Sequence, residues 1–119
     1  MNSHPECPFC GVVNHEIPAR EAGRNSHAMA FHDLNPQAPV HVLVVPTRHA
    51  ATAADLVESP GGAAIMAEVM ALATRVAHEL GLADGGYRLV INTGEDGGQT
   101  VGHLHVHVLG GRRMTWPPG

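Results

Sequence analysis

The sequence predicts an α+β fold in which an antiparallel sheet is covered on one face by a long helix. Four short apolar segments with strand character are joined by turn-rich connections rather than by helical crossovers. One longer segment carries apolar residues at spacings of three and four, which is the period of an amphipathic helix. With 119 residues, 44% of them hydrophobic, the chain is expected to form a single domain over residues 1–119.

The first two strand segments are predicted to form a hairpin. Residues 28–33 and 40–45 are apolar, and the connection between them contains the turn-forming pair Asn35-Pro36. Pro46 has no amide proton to donate to a ladder, so the second strand should end there.

The long helix is predicted to begin at Ser59-Pro60. A serine hydroxyl can cap free amides, and proline suits the first helical position. Gly81 suits a left-handed exit at the other end. The apolar stripe consists of Ile65, Val69, Leu72, Ala73, Val76 and Leu80.

The last two strand segments, residues 87–92 and 103–109, flank a loop that contains four glycines. Side chains alternate between the faces of a strand, so three histidines are expected on one face and three apolar residues on the other. Residues two apart are separated by about 6.5 Å, so the three rings can line one elongated substrate. The histidines are His103, His105 and His107, and the apolar residues are Leu104, Val106 and Val108.

Three histidines in strict alternation indicate chemistry rather than a solvated face, which Thr, Lys or Glu would form without titrating near neutral pH. In one interpretation the three rings bind a metal ion that activates water. In the other, one neutral imidazole is the nucleophile, while its neighbours bind an anionic group and protonate the leaving group. Only Glu95 and Asp96 offer nearby carboxylates for the metal mechanism, which favours the second interpretation.

Other residues indicate that the substrate is anionic. Glycines between residues 94 and 102 can leave backbone amides free to approach a phosphate, and Thr100 adds a hydroxyl, although an ordinary hairpin loop would have the same composition. His41 alternates with valines and either joins the histidines or packs in the core. Asp33 either accepts from ribose hydroxyls or begins the following turn.

Composition limits the cellular context and the partners. Seven Lys and Arg against eleven Asp and Glu give a net charge of -4, which disfavours a nucleic-acid partner. No apolar run approaches the roughly 18 residues of a membrane span, and the start shows no basic segment followed by an apolar one, so a cytoplasmic protein without membrane contact is expected. In such a compartment, Cys7 and Cys10 indicate a metal half-site or a redox pair rather than a structural disulfide.

The segment from His103 to Leu109 resembles the signature of the histidine triad (HIT) superfamily, and the residues around it resemble the Hint branch. Matching segments include Cys7-Pro-Phe-Cys10, Phe31 to His41, and the terminal Trp116-Pro-Pro-Gly119. The resemblance covers nearly the whole chain. It implies a HIT-like antiparallel sheet of about five strands, with one long helix and a short helix on one face.

This resemblance implies a nucleotide hydrolase that cleaves the P–N bond of purine nucleoside 5'-phosphoramidates and related aminoacyl nucleotides, with no cofactor needed for catalysis. His105 would attack phosphorus and carry the nucleotide covalently. His107 and Thr100 would contact the phosphate and assist the leaving group, and His41 would support the ring network. The implied nucleotide-binding residues are Phe31, His32, Asp33, Leu34, Asn92, Gly98, Thr100, His105 and His107.

The resemblance also implies a structural zinc site and a homodimer, and it leaves one alternative function. The ligand set implied for a structural zinc is Cys7, Cys10, His49 and His103, and the alternative is a reduced, metal-free cysteine pair. A homodimer is implied, with the tail around Trp116 near the partner's site. The alternative function is a nucleotide-binding sensor or adaptor with little or no hydrolase activity.

Overall fold

The structure is a computed structural model that describes His4 and residues 6–119. The helices in this part of the chain are α1 (Pro8–Val13), α2 (Ala53–Glu58) and α3 (Gly62–Glu79). The strands are β1 (Glu21–Arg24), β2 (Ala28–His32), β3 (Val40–Pro46), β4 (Tyr87–Ile91) and β5 (Val106–Gly110). Across the described residues, no helix is both long enough and apolar enough to cross a membrane.

The five strands form one antiparallel sheet in the order β1-β2-β3-β5-β4. β2 and β3 form the predicted hairpin, with Ala28 opposite Pro46 and His32 opposite Val42. Pro46 is the last residue of β3, as its missing amide proton requires. The predicted antiparallel α+β sheet with one long helix is therefore confirmed.

Helix α3 covers one face of the sheet and forms the main core. Its residues Val69, Leu72 and Val76 are fully buried against Ala30 of β2 and Val108 of β5. Burying each of these larger apolar side chains contributes about 1.5–3 kcal/mol. The predicted stripe is wrong at one residue, because the helix ends at Glu79 and the next residue, Leu80, is 37% exposed.

Helix α1, which the sequence did not predict, packs against the opposite face of the sheet. Phe9, Val12 and Val13 of α1 form a second cluster with Phe31 and with neighbouring residues of β2 and β3. The sheet consequently has helices on both faces, and α2 packs beside α3 rather than on the sheet.

The predicted start of the long helix is wrong. The Ser59 hydroxyl donates backwards to the carbonyl oxygen of Leu56 over 2.6 Å, so Ser59 closes α2 instead of capping α3. Gly61 then adopts a left-handed backbone with φ 72°, and α3 begins at Gly62. A side chain at Gly62 would overlap the carbonyl of Leu56, which explains the glycine at this junction.

The predicted strand over 103–109 is also too long at its start, since β5 begins at Val106. The amide of Leu104 donates to the carbonyl of Ala50 over 2.7 Å, and the carbonyl of Pro46 accepts from the His103 ring. These bonds replace the ladder partners that residues 103–105 would otherwise have. Asp33 and Asn92, predicted at strand ends, lie one residue beyond β2 and β4.

Candidate functional site

Four side chains converge beside the start of α1 to form a metal centre. The ligand atoms of Cys7, Cys10, His49 and His103 all lie within 4.8 Å of one another. Nδ1 of His103 is 3.3 Å from Sγ of Cys7 and 3.6 Å from Sγ of Cys10, which is itself 3.3 Å from Nδ1 of His49. Tetrahedral zinc, with bonds of about 2.3 Å to sulfur and about 2.0 Å to nitrogen, separates such atoms by about 3.5 Å. The four residues form a Cys₂His₂ site for a structural zinc ion.

His103 is held in the tautomer that this site requires. Its Nε2 donates to the carbonyl oxygen of Pro46 over 3.0 Å, so Nδ1 keeps its lone pair and faces the cysteines. The side chain is fully buried, and burial lowers the pKa of His103 from 6.5 to about 4, which keeps the ring neutral. Burial also lowers the pKa of His49, the other histidine ligand.

The two cysteines are brought together by the first turn of α1. Cys7 is the N-cap of the helix, and its sulfur accepts a hydrogen bond of 3.3 Å from the amide of Cys10. Burial raises the pKa of the Cys10 thiol, an effect that a bound cation would oppose by stabilising the thiolate. The Cys-x-x-Cys spacing therefore serves both as a helix cap and as half of the ligand set.

A cavity of about 320 Å³ lies on the α1 side of the sheet. Most of its lining is apolar, and the polar lining consists of three histidines, Asp33 and Thr100. Seven residues expected from the sequence to bind nucleotide line it, namely Phe31, His32, Asp33, Leu34, Thr100, His105 and His107. Asn92 and Gly98 do not line it, and His41 lies behind its wall, 5% exposed.

His105 presents one free nitrogen. Its Nδ1 donates to the backbone carbonyl of His103 over 2.8 Å, so in the neutral ring Nε2 carries the unshared lone pair. The ring packs edge-on against Phe9, with centroids 5.1 Å apart, and is 5% exposed. An imidazole held in this orientation at the wall of a cavity is suited to nucleophilic attack through Nε2.

His41 and His107 form a hydrogen-bonded chain whose proton positions can be assigned. The amide of Gln37 donates to Nδ1 of His41 over 3.0 Å, so the proton of neutral His41 is on Nε2. That Nε2 is 2.9 Å from Nδ1 of His107 and donates to it. The remaining proton of His107 is then on Nε2, which is buried and has no hydrogen-bond partner within the described residues. A buried donor without a partner is suited to an oxygen or nitrogen of a ligand.

The rings of His41 and His107 are both neutral at neutral pH. Burial lowers the pKa of His107 from 6.5 to about 4, and the nearby His105 and His41 act in the same direction. Burial also lowers the pKa of His41. The carboxylate of Asp33 opposes both shifts.

The three histidines of the HIT-like segment do not converge on one ion. His103 faces the cysteines, His105 is bonded through Nδ1 to a carbonyl, and His107 is bonded through Nδ1 to another ring. A second group, formed by Asp33, His41 and His107, also brings its ligand atoms within 4.8 Å of one another. There, Nε2 of His41 carries a proton and has no lone pair for a metal, so this group is a hydrogen-bonded relay.

Gln99, which holds the glycine loop in place, was not among the site residues predicted from the sequence. Its Oε1 accepts from the amide of Gly94 over 3.1 Å, and its Nε2 donates to the carbonyls of Ala51 and Val101 over 2.6 and 3.0 Å. The amide of Gly98, expected to be free for a phosphate, donates to the carbonyl of Glu95 over 3.0 Å. A glutamine before a threonine has no distinctive pattern, so only the folded loop identifies it.

These features define a class of small α+β proteins in which alternating histidines of one short segment, residues 103–107, serve both a metal centre and an adjoining cavity. The HIT domain model matches residues 14–114, and the chain belongs to the HIT domain family. It is 43% identical over 111 residues to an uncharacterized HIT-like protein of Synechocystis sp., covering 93% of this chain and 95% of that protein.

Two further relatives bear on the site. A protein of Zea mays named "14 kDa zinc-binding protein" is 40% identical over 111 residues, covering 93% of this chain and 86% of the maize protein. The crystal structure of a HIT family hydrolase from Legionella pneumophila is similar with a TM-score of 0.90 and 43% identity, covering 96% of this chain and all 100% of that one.

Proposed function

We propose that this protein is a nucleotide hydrolase of the Hint branch, which cleaves the P–N bond of purine nucleoside 5'-phosphoramidates and related aminoacyl nucleotides. The observation that carries the proposal is the tautomer of His105. Its Nδ1 donates to the carbonyl of His103, which leaves Nε2 as the nucleophilic atom at the cavity wall. The similarity to a solved HIT family hydrolase supports the same reaction class.

The proposed reaction consists of two displacements at phosphorus. Nε2 of His105 forms a bond to phosphorus as the P–N bond breaks, and the departing nitrogen takes a proton from Nε2 of His107. Nε2 of His107 already carries this proton in the neutral ring. A second proton, taken up from solvent when the anionic phosphate raises the proton affinity of the His41–His107 pair, keeps the pair neutral after the transfer. Water then attacks phosphorus and gives a proton to the His41–His107 pair, the bond to His105 breaks and returns its electron pair to Nε2, and the nucleoside monophosphate is released.

The nucleotide is assigned to the cavity by the chemistry of its lining. Phe31 and Leu34 supply apolar surface for the base, His32 borders the base and ribose, and Asp33 accepts from the ribose hydroxyls. Thr100 contacts the phosphate together with His107. Asn92 and Gly98 lie outside the lining, and their proposed role is to border the phosphate once it is bound.

The proposal extends to metal and assembly. Zinc at the Cys₂His₂ centre anchors α1 and His103, and the reaction itself uses no further cofactor. The protein is proposed to act in the cytoplasm as a homodimer, without nucleic-acid or membrane partners. The indole of Trp116, 82% exposed in the single chain, supports a tail that reaches the partner's site.

The experiment traps the covalent intermediate. The protein is mixed with an adenosine 5'-phosphoramidate, quenched in acid-free denaturant and digested, and mass spectrometry is used to locate an adenylyl group. We expect the adduct on the peptide that contains His105, and we expect His105→Ala to abolish it and to reduce turnover by at least about 10³-fold. His27→Ala removes an exposed histidine away from the cavity and serves as the matched control.

The same experiment tests the alternative. If the protein binds nucleoside monophosphate but shows neither turnover nor adduct, the hydrolase assignment is wrong and the protein is a nucleotide-binding sensor or adaptor. If His105→Ala loses metal together with activity, both of these functions are wrong and the protein is a metal-dependent hydrolase.

A further inference from the structure

Asp33 faces both the cavity and the histidine relay. It follows β2 directly, and its side chain is 21% exposed, whereas that of His41 is 4% exposed. Oδ1 accepts from the amide of Asn35 over 2.8 Å, which fixes the orientation of the carboxylate. The other oxygen, Oδ2, lies 3.4 Å from Nε2 of His41.

Nε2 of His41 therefore has one proton and two acceptors. Nδ1 of His107 is the nearer acceptor at 2.9 Å, and Oδ2 of Asp33 is the second at 3.4 Å. With Nδ1 of His41 occupied by the amide of Gln37, the ring is held at both of its nitrogens. The order carboxylate, imidazole, imidazole places a partly buried negative charge at one end of a hydrogen-bonded series whose other end is the unpartnered Nε2 of His107.

We propose that Asp33 is a positioning residue for the His41–His107 relay, in addition to the ribose contact assigned to it above. The inference rests on the proposed function, because the relay matters only if His107 serves the leaving group. The positioning role differs from the ribose contact in one respect. Asp33 should contribute to the chemical step even when the sugar has no hydroxyl groups.

The physical basis is the balance of charges around the buried ring of His41 and the half-buried ring of His107. The titratable groups that act on His107 are His105, His41 and Asp33, and of these only the carboxylate favours protonation. Asp33 is also the only acidic residue in the described lining of the cavity. A bound phosphate adds a second anion on the other side of His107, so the relay gains its proton between two negative charges.

The test uses Asp33→Asn with two substrates, an adenosine 5'-phosphoramidate and its 2',3'-dideoxy analogue, which lacks the sugar hydroxyls. Asparagine keeps the size and the acceptor oxygen but removes the charge. We expect the variant to lower kcat at least tenfold on both substrates, while KM for the dideoxy analogue stays within twofold. If Asp33 only binds ribose, the variant and the unchanged protein will hydrolyse the dideoxy analogue at equal rates, and the proposal is overturned.

A second measurement does not depend on turnover. Imidazole NMR titration of the ligand-free protein should show a lower pKa for His107 in Asp33→Asn than in the unchanged chain. Asp84→Asn, which removes an exposed carboxylate elsewhere, should leave both kcat and that pKa unchanged. If no substrate is turned over, the proposed function fails, and the titration still decides whether Asp33 acts on the relay. An unchanged His107 pKa in Asp33→Asn would contradict the proposal in either case.

Discussion

Nδ1 of His105 donates a hydrogen bond to the backbone carbonyl of His103 over 2.8 Å, and the ring of the same His103 faces both cysteines of the metal centre. One residue thus ligates the proposed ion with its side chain and sets the tautomer of its neighbour with its backbone. Because His103 connects the metal centre to the cavity, loss of the metal should have measurable effects at both.

Removal of a ligand should destabilise the fold. Cys10→Ala is expected to lose the zinc ion and to lower the free energy of unfolding by about 4 kcal/mol or more, because α1 and residues 103–105 lose their common anchor. Metal content by atomic emission and urea unfolding provide the two measurements. Val12→Ala removes an apolar side chain from the same helix without touching a ligand, and it should keep its metal. Full metal content in Cys10→Ala would contradict the ligand assignment.

The junction between α2 and α3 should reject a side chain at Gly62. Gly62→Ala places its methyl against the carbonyl of Leu56, so we expect a loss of about 1–3 kcal/mol in urea unfolding. Gly85→Ala is the matched control, since a side chain there meets nothing within 4 Å and the backbone φ is ordinary. Its effect should stay within about 0.5 kcal/mol. Equal stabilities of the two variants would show that the helices are joined differently.

Leu72 should contribute more to stability than Leu80, although both belong to the stripe predicted for one helix. Leu72 is fully buried against the sheet, so Leu72→Ala should lower the free energy of unfolding by about 2–5 kcal/mol. Leu80 is 37% exposed beyond the helix end, and Leu80→Ala should have an effect of about 1 kcal/mol or less. Denaturant midpoints in the same buffer compare them, and a reversed order would contradict the observed helix end.

Acid should weaken the fold through His107. Burial lowers its pKa in the folded chain from 6.5 to about 4, so between these values the unfolded chain binds more protons than the folded one. The contribution of His107 is fully present above about pH 6.5 and is lost as the pH falls towards about 4. Urea unfolding at about pH 7 and about pH 5 should show a smaller loss for His107→Asn than for the unchanged chain. Equal losses would mean that the ring is not buried in its neutral form.

The parts of the fold that follow local patterns were predictable from the sequence. The buried positions of α3 follow a period of 3.6 residues, and the β2–β3 hairpin is marked by Asn35-Pro36 and limited by Pro46. Helix α1 escaped prediction because it has only six residues. Strand β1 escaped it because its four residues have a charged residue at each end and a glycine between them.

The parts of the site that depend on distant contacts were not predictable. The start of β5 is decided by bonds from residues 103 and 104 to Pro46 and Ala50, more than fifty positions away. Likewise, Gln99 acts through a hydrogen bond to Ala51, which is 48 positions away. The amide of Gln37 is only four positions from His41, but its bond to Nδ1 depends on the folded turn. The histidine motif predicted which rings matter, whereas the partner of each nitrogen required the folded chain.

Helix α1 and its N-cap supply the metal ligands Cys10 and Cys7, and the same helix carries Phe9, whose ring walls the cavity beside His105. Under the proposed function, zinc binding would therefore affect nucleotide binding as well as folding. If the proposed function is right, a chain without zinc would keep the nucleophilic nitrogen of His105 but would no longer hold Phe9 in place beside that ring at the wall of the nucleotide cavity.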